Sequence, residues 1–126
     1  MSGSTIILGA GASQGVGGAL ARRFAREGQH VIIGGRTTDR IKRLAQEVSD
    51  AGGSAEGISV DVTVEADLDA LFEYAAQKSP INAVLYNAGN NAVIPFEKLE
   101  PEIVEKFWRV GCFGAFLTAK RAVPIM

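Results

Sequence analysis

Residues 5–17 read TIILGAGASQGVG, an apolar run followed at once by a turn rich in glycine. The run has the length and composition of a buried strand, and a helix is predicted from about Gly15 to Glu27. Glycine allows a sharp turn and close packing of helix on strand, and the helix N-terminus offers N–H donors and a positive dipole to an anion. The stretch therefore predicts a strand–turn–helix unit that can hold a phosphate, although a purely structural turn would look the same.

The same unit recurs along the chain about every 30 residues. Short apolar runs occupy residues 5–8, 31–33, 57–60 and 83–86. Helices are predicted over residues 15–27, over 39–50, from an N-cap at Thr63 to Lys78, and from Pro101 onward. Apolar strands with helices on both sides indicate a parallel sheet that is covered on both faces. We therefore predict an α/β fold with a doubly wound parallel sheet.

Two of the predicted helices carry apolar residues at helical spacing, which is typical of a helix that packs through one face. The stripe of the second helix consists of Ile41, Leu44, Ala45 and Val48. The apolar face of the third helix consists of Leu68, Leu71, Phe72 and Ala75.

The composition excludes several classes of protein. The chain has 126 residues and a mass of 13.3 kDa, enough for one domain. Thirteen basic residues oppose fourteen acidic ones, so the charge gives no field to attract a nucleic acid or an anionic membrane. One cysteine and one histidine exclude a disulfide framework and a zinc-binding cluster. Glycines break the apolar run near the N-terminus, unlike a signal peptide or a membrane span, so we expect a cytoplasmic protein.

The end of the second predicted strand reads Gly34-Gly35-Arg36-Thr37-Thr38. At this place a dinucleotide-binding domain usually carries Asp or Glu, which binds the ribose 2′-OH of the adenosine. Here the acid is missing and Arg36 can bind a 2′-phosphate, which favours NADP(H) over NAD(H). The alternative is that Arg36 is a solvated arginine at the start of a helix.

Two further polar turns follow the third and fourth predicted strands, at the sheet edge where ligands bind in open α/β folds. Asp61 can accept a hydrogen bond from the adenine amino group, and the backbone of Val62 can contact the edge of the ring. Asn87 can tie neighbouring strand ends together, while Ala88 and Gly89 leave room for the ribose. Taken alone, Asp61 also fits a cap and Asn87 an ordinary turn.

Together these features resemble the short-chain dehydrogenase/reductase family. The family's order and approximate spacing are found in four elements, which are Gly11-x-x-x-Gly15-x-Gly17, Arg36, Asp61-Val62 and Asn87-Ala88-Gly89. The resemblance implies a Rossmann-type site for NADP(H), in which the phosphates and ribose are surrounded by Gly11, Ser13, Gln14, Gly15, Val16 and Gly17. It also implies hydride transfer between nicotinamide and a carbonyl or alcohol substrate.

Three positions depart from the family's pattern. Ala10 replaces the usual Thr before the first glycine, and Tyr86 replaces the first Asn of Asn-Asn-Ala-Gly. Gly111 aligns with an Asn that holds a water in the family's proton relay, and glycine has no side chain for that role. The family's catalytic Ser, Tyr and Lys lie further along than Met126, so the resemblance assigns no catalytic residue to this chain. We expect residues 1–126 to form an incomplete dinucleotide-binding domain, truncated after the fourth βα unit.

Tyr74 and Lys78 have the Tyr-x-x-x-Lys spacing of the family's catalytic pair. They lie near the end of a predicted helix that leads into the start of the fourth strand, at the opposite edge of the sheet from the glycine turn. We therefore interpret them as part of a solvated helix face. His30, just before the second strand, is predicted to be a surface residue without an acid or hydroxyl partner.

The last predicted helix, at about residues 101–123, carries two adjacent apolar stripes. One consists of Ile103, Phe107, Val110, Gly114 and Leu117, and the other of Val104, Trp108, Cys112 and Phe116. A helix that is apolar over so much of its circumference is buried on two sides. One side can lie on the sheet, and the resemblance implies that the other builds a subunit interface. We therefore expect a homo-oligomer, in which Cys112 is a packing residue and not a nucleophile.

Two functional hypotheses follow. The first is that the chain is the N-terminal part of an NADP(H)-dependent oxidoreductase, inactive by itself, whose complete form acts on a small carbonyl or alcohol. The second is a non-catalytic nucleotide-binding or protein-interaction module. Gly111 and the missing Ser, Tyr and Lys favour the second hypothesis, whereas the intact cofactor pattern favours the first.

Overall fold

A computed structural model of the chain describes residues 3–10, 14–89 and 92–126. In this part of the chain the strands are β1 (Ser4–Leu8), β2 (His30–Gly35), β3 (Ser54–Ser59) and β4 (Ile81–Tyr86). The α-helices are α1 (Val16–Arg26), α2 (Thr38–Asp50), α3 (Glu65–Lys78), α4 (Pro101–Trp108) and α5 (Gly114–Ala122). A π-helical turn, Arg109–Phe113, joins α4 to α5, and short 3₁₀ turns lie at Phe96–Lys98 and Val123–Ile125.

The strands form a parallel sheet in the order β3-β2-β1-β4. Because β1 lies between β2 and β4, Ile6 pairs with Ile32 on one side and with Val84 on the other. The chain first builds outward from β1 to β3, and then returns through α3 to place β4 on the far side of β1. The point between β1 and β4, where the strand order reverses, is where open α/β sheets bind ligands. The predicted doubly wound parallel sheet is confirmed.

Alternate side chains of the strands enter two separate cores. Ile7 and Ile33 pack with α1 and α2 on one face, and Ile6 and Ile32 pack with α3 and α5 on the other. All the residues of the predicted apolar faces on α2 and α3 are buried, which confirms both predictions. Burial of one such side chain contributes roughly 1.5–3 kcal/mol to the stability of the fold. Because helices pack on both faces, the sheet is stabilised from each side.

The predicted bounds of β3 and the predicted cap of α3 are wrong. β3 begins at Ser54 rather than Gly57 and ends before Val60, because pairing with β2, and not an apolar run, defines this edge strand. Thr63 does not cap α3, since its hydroxyl donates to Oδ1 of Asp61 at 2.7 Å and the next residue takes the N-cap position.

A polar cluster near the N-terminal ends of β2 and β3 corrects the interpretation of His30. Its ring nitrogens lie 2.6 Å from Oγ of Ser54 and 2.6 Å from Oε2 of Glu56, so His30 has both a hydroxyl and an acid as partners. Glu56 also accepts a 2.6 Å hydrogen bond from the Tyr74 hydroxyl and lies 3.2 Å from Nζ of Lys78. Tyr74 and Lys78 therefore bind the edge of the sheet and do not form a merely solvated face.

The last helix differs from the prediction in its middle, where the π-helical turn interrupts the α-helical spacing. Gly114 and Leu117 of the first stripe are buried in the chain. The second stripe is exposed, with exposed fractions of 48% for Val104, 50% for Trp108 and 59% for Phe116. Cys112 is exposed as well, so the packing role predicted for it is not met inside this chain. Across the described segments, no helix combines the length and the apolar character that crossing a bilayer requires.

Candidate cofactor-binding cleft

A cleft opens at the carboxyl ends of the strands, over the point where the strand order reverses. Its wall includes six of the predicted site residues, which are Arg36, Asp61, Val62, Asn87, Ala88 and Gly89. The rest of the described wall consists of Gly9, Ala10, Gly34, Gly35, Thr37, Ile41, Val60 and Val110. Residues that follow β1, β2, β3 and β4 therefore meet in one place.

The floor of the cleft is backbone, because Gly9 lets the ends of β1 and β4 come close together. Its φ is +99°, and a Cβ at this position would overlap the backbone of Ala88. Asn87 joins the two strand ends through its N–H, which donates to the carbonyl of Leu8 at 2.7 Å, and through Nδ2, which donates to the carbonyl of Gly9 at 3.1 Å. The tie predicted for Asn87 is present.

The N-terminus of α1 lies at the same end of the sheet. Gly17 permits the close approach, because a Cβ there would overlap Cα of Ala10. Gly15 is the N-cap residue, and the first turn of the helix contains no acidic side chain. The N–H groups and the positive end of the helix dipole are therefore not opposed by a local negative charge and suit an anion.

The glycine turn itself is only partly described. Gly11 and Ser13 lie outside the described residues, and Gln14 and Val16 are exposed at the start of α1. The cleft wall, as described, does not include Gln14, Gly15, Val16 or Gly17. Contact of these residues with a phosphate stays a prediction.

Arg36 follows β2 and lines the cleft with an exposed side chain. Within residues 3–10, 14–89 and 92–126, its guanidinium forms no ion pair. Of its neighbours in the cleft wall, Gly35 is the last residue of β2 and Thr37 follows Arg36 directly, so neither supplies a carboxylate at this strand end. An anion at this place would meet a cation that forms no ion pair with the described residues.

Asp61 brings an ionised carboxylate to the cleft. Its Oδ1 accepts hydrogen bonds from the hydroxyl of Thr63 at 2.7 Å and from the N–H of the same residue at 2.9 Å. The hydroxyl bond is the main cause that lowers the pKa of Asp61; burial opposes the shift, and the charges of Arg36 and Arg109 add to it. The carboxylate is therefore an acceptor at neutral pH, which matches the role predicted for it toward an amino group.

Tyr86, which stands where the family has Asn, fixes the end of β4 to the last helix. Its hydroxyl donates to the carbonyl of Val110 and lies against Gly114, where a Cβ would overlap it. Burial, with a smaller contribution from the charge of Asp61, raises the pKa of Tyr86 to about 12, so the hydroxyl stays protonated at neutral pH. The contact helps to hold Val110 in the cleft wall.

Gly111, which aligns with the family's water-holding Asn, is exposed in the π-helical turn. A Cβ at this position would meet no described atom within 4 Å. Packing therefore does not require glycine here, and an asparagine would fit.

Several wall residues were not among the predicted site residues, although three of them carried a signal. Gly34 and Gly35 are consecutive glycines at a strand end, and a Cβ on Gly34 would press on the side chain of Leu8. Val110 directly precedes Gly111, which the alignment with the family had already placed near the chemistry. The sequence pattern assigns Val110 to an apolar stripe and contains no signal for the π-helical turn.

Comparison with known proteins agrees with this geometry. Residues 5–126 match the family model described as short chain dehydrogenase. The chain belongs to the short-chain dehydrogenase family. The family assignment confirms the resemblance drawn from the glycine turn and the strand-end motifs.

Three similar proteins show how far the likeness to other short-chain dehydrogenases extends. The chain is 31% identical over 122 residues to the uncharacterized oxidoreductase YxjF of Bacillus subtilis, covering 96% of this chain and 48% of that protein. It is 32% identical, with a TM-score of 0.86, to the 3-ketoacyl-(acyl-carrier-protein) reductase of Brucella melitensis complexed with NADH, covering 98% of this chain and 49% of that one. It is 25% identical, with a TM-score of 0.87, to the alcohol dehydrogenase of the archaeon Thermococcus sibiricus complexed with 5-hydroxy-NADP. This match covers 99% of this chain and 53% of that one. The chain thus spans about half the length of each of these proteins.

Proposed function

We propose that this chain is the cofactor-binding part of an NADP(H)-dependent oxidoreductase, which transfers hydride between nicotinamide and a carbonyl or alcohol. The observation that carries the proposal lies at the end of β2, where Arg36 lines the cleft, forms no ion pair with the described residues, and is followed by Thr37 and Thr38 rather than by an acid. A charge-assisted bond to a 2′-phosphate is worth roughly 1.5–3 kcal/mol, or about ten- to a hundredfold in affinity. An NAD-binding site would place a carboxylate here instead.

The described cleft fits the adenosine half of such a cofactor. The ionised Asp61 would accept from the adenine amino group, and the backbone of Val62 would meet the edge of the ring. The backbone floor at Asn87, Ala88 and Gly89 leaves space for a ribose. We propose that the pyrophosphate lies at the N-terminus of α1, within the glycine turn of residues 11–17.

When bound, the nicotinamide supplies the hydride chemistry, and the protein binds and orients it. We infer no catalytic residue in residues 1–126. In the family, the Ser, Tyr and Lys that handle the proton lie beyond the part of the sequence that corresponds to this chain. Proton transfer would therefore depend on a further part of a longer protein.

The similar structures support a nicotinamide dinucleotide as the ligand class. The Brucella reductase is described with NADH and the Thermococcus enzyme with 5-hydroxy-NADP, so both forms of the cofactor occur among the structures that resemble this chain. The preference for NADP(H) is therefore our proposal from Arg36 and the missing acid.

Gly111 favours a second candidate, a non-catalytic nucleotide-binding or interaction module, because the water-holding asparagine of the family is absent. The experiment that separates the two follows NADPH oxidation by the full-length protein with a panel of ketones and aldehydes. Consumption of NADPH with one of these substrates supports the enzyme. Tight NADPH binding without turnover of any carbonyl contradicts it and supports the module.

We also propose that the exposed stripe of α4 and α5 is an interface between copies of the protein. Val104, Trp108 and Phe116 are each about half exposed, and such a patch of large apolar side chains is typical of a binding surface. The balanced charge and the single cysteine fit a protein of the reducing cytoplasm, which we propose as its location.

A further inference from the structure

A second cavity adjoins the cofactor cleft at Arg36. It shares Arg36 and Val110 with the cleft, and its wall continues over Lys106 and Arg109 at the junction of α4 and the π-helical turn. A ligand group that Arg36 binds would therefore lie at the border of the two cavities. The cation that stands directly beside the shared Val110 is Arg109.

Arg109 is exposed, and its guanidinium lies 5.0 Å from the centre of the Phe113 ring, a contact that leaves the N–H donors available. In the described part of the chain Arg109 forms no ion pair, and the same is true of Arg36. Two guanidinium groups that form no ion pair with the described residues therefore border the same space, although one follows β2 and the other lies in the π-helical turn after α4.

The charges of both arginines act on the Asp61 carboxylate and lower its pKa, after the larger effect of the Thr63 hydroxyl, which supports their common location. Like charges that border one cavity repel each other, and an anion between them relieves the repulsion. A phosphate monoester carries about −1.5 to −2 charges at neutral pH, whereas a ribose hydroxyl carries none. Glu102 and Glu105 line the same cavity toward α4 and would oppose a phosphate there, which favours the border with the cleft.

We propose that Arg109 is a second cation of the 2′-phosphate subsite and a specificity-determining residue for NADP(H). This inference rests on the proposed function, and it adds a residue that lies more than half the chain away from Arg36 in sequence. Arg109 reaches the subsite because the hydroxyl of Tyr86 holds the π-helical turn against the end of β4.

The test compares two probes that differ only in the 2′-phosphate, adenosine 2′,5′-bisphosphate and adenosine 5′-monophosphate. Both are titrated by calorimetry into the full-length protein and into its Arg109→Gln variant. We expect Arg109→Gln to weaken binding of the bisphosphate about five- to tenfold and to leave the monophosphate within about twofold. Arg109→Lys should restore part of the loss, because it keeps the charge without the planar donors.

Arg26→Gln is the matched control, since Arg26 is an exposed arginine at the C-terminal end of α1, away from the cleft. This variant should bind both probes as the wild type does. An equal loss of both probes in Arg109→Gln, or no loss of either, overturns the proposal for Arg109.

Arg36→Ala, measured in parallel, separates this inference from the proposed function. If Arg36→Ala weakens the bisphosphate selectively while Arg109→Gln has no effect, the inference fails and the proposed function stands. If the wild type binds the two probes equally, or binds neither, the proposed NADP(H) site fails and the inference fails with it.

Discussion

Arg36 stands at the end of β2, where an NAD-binding site would carry an acid. Its position in the cleft follows from the sheet, because β2 lies beside β1 and the carboxyl ends of both strands line the cleft. The sequence predicts the place of Arg36 in the cleft wall, since strand, glycine turn and missing acid are all local features. It does not predict Arg109, because only the folded chain brings the last helix to the same cavity.

We predict that Arg36→Ala lowers the affinity of the full-length protein for NADPH about ten- to a hundredfold, because a charge-assisted bond to the 2′-phosphate is lost. Affinity for NADH should stay nearly unchanged, since NADH has no phosphate at this place. Fluorescence or calorimetric titration with both cofactors measures the difference. An equal loss of affinity for the two cofactors would show that Arg36 does not bind the 2′-phosphate.

The close packing of Gly17 against Ala10 leads to a second prediction, which concerns the stability of the fold. A Cβ at this position would overlap Cα of Ala10, so Gly17→Ala should push α1 away from β1 and destabilise the fold by about 1–3 kcal/mol, as overpacking does. Gly111→Ala is the matched control, because a Cβ there meets no described atom and alanine is the better helix former. Urea denaturation of both variants measures their free energies of unfolding. A Gly17→Ala protein as stable as the Gly111→Ala protein would contradict the close packing of α1.

Helices and strands differ in how far the sequence predicts them. The faces of α2 and α3 follow from the spacing of their apolar residues and are buried as predicted. The start of β3 and the partners of His30 depend on pairing between distant segments, in which Ser54 lies beside His30 in the sheet. No local pattern contains that information, and the same holds for the turn at Asp61, whose carboxylate binds the hydroxyl that was predicted to cap α3.

Glu56 links β2, β3 and α3, and its titration should affect the stability of these elements together. Burial alone would raise the pKa of Glu56, but hydrogen bonds from Tyr74, His30 and Lys78 outweigh burial, and the pKa falls below its ordinary value of 4.5. Because the pKa of Glu56 is lower in the folded state, the ionised carboxylate stabilises the folded state at pH values above its ordinary pKa. The stabilisation is lost as the pH falls through the lowered pKa.

We therefore predict that Glu56→Gln is less stable than the wild type at neutral pH, and that this difference in unfolding free energy shrinks below about pH 4.5. Urea unfolding at a series of pH values measures the difference. Glu73→Gln is the control, because Glu73 is an exposed glutamate on α3, the helix that carries Tyr74 and Lys78. A Glu56→Gln difference that stays constant with pH would contradict the ion-pair role.

The exposed face of α4 and α5 supports a prediction about assembly. Phe116 is 59% exposed, so Phe116→Lys should leave the fold intact and disrupt an interface between two copies through an unpaired buried charge. Light scattering after size-exclusion chromatography measures the mass in solution. Val93→Lys, at a fully exposed residue outside these helices, is the control and should keep the oligomer. An unchanged mass for Phe116→Lys would show that this face is not the interface.

At the scale of the whole molecule, the doubly wound sheet explains why motifs far apart in sequence share one cleft. Parallel strands place all their carboxyl ends at the same edge, so the residues after β1, β2, β3 and β4 converge without any direct connection. The sequence predicts this architecture because four similar units repeat. It does not predict the substrate, since the chain spans about half the length of its relatives.

The most direct test of the proposed NADP(H) site is a calorimetric titration of the full-length wild-type protein with NADPH and with NADH under identical conditions. We predict that NADPH binds at least about tenfold more tightly, because Arg36 meets a 2′-phosphate and no carboxylate stands at the end of β2. Equal affinities, tighter binding of NADH, or no binding of either dinucleotide would contradict the assignment of this cleft.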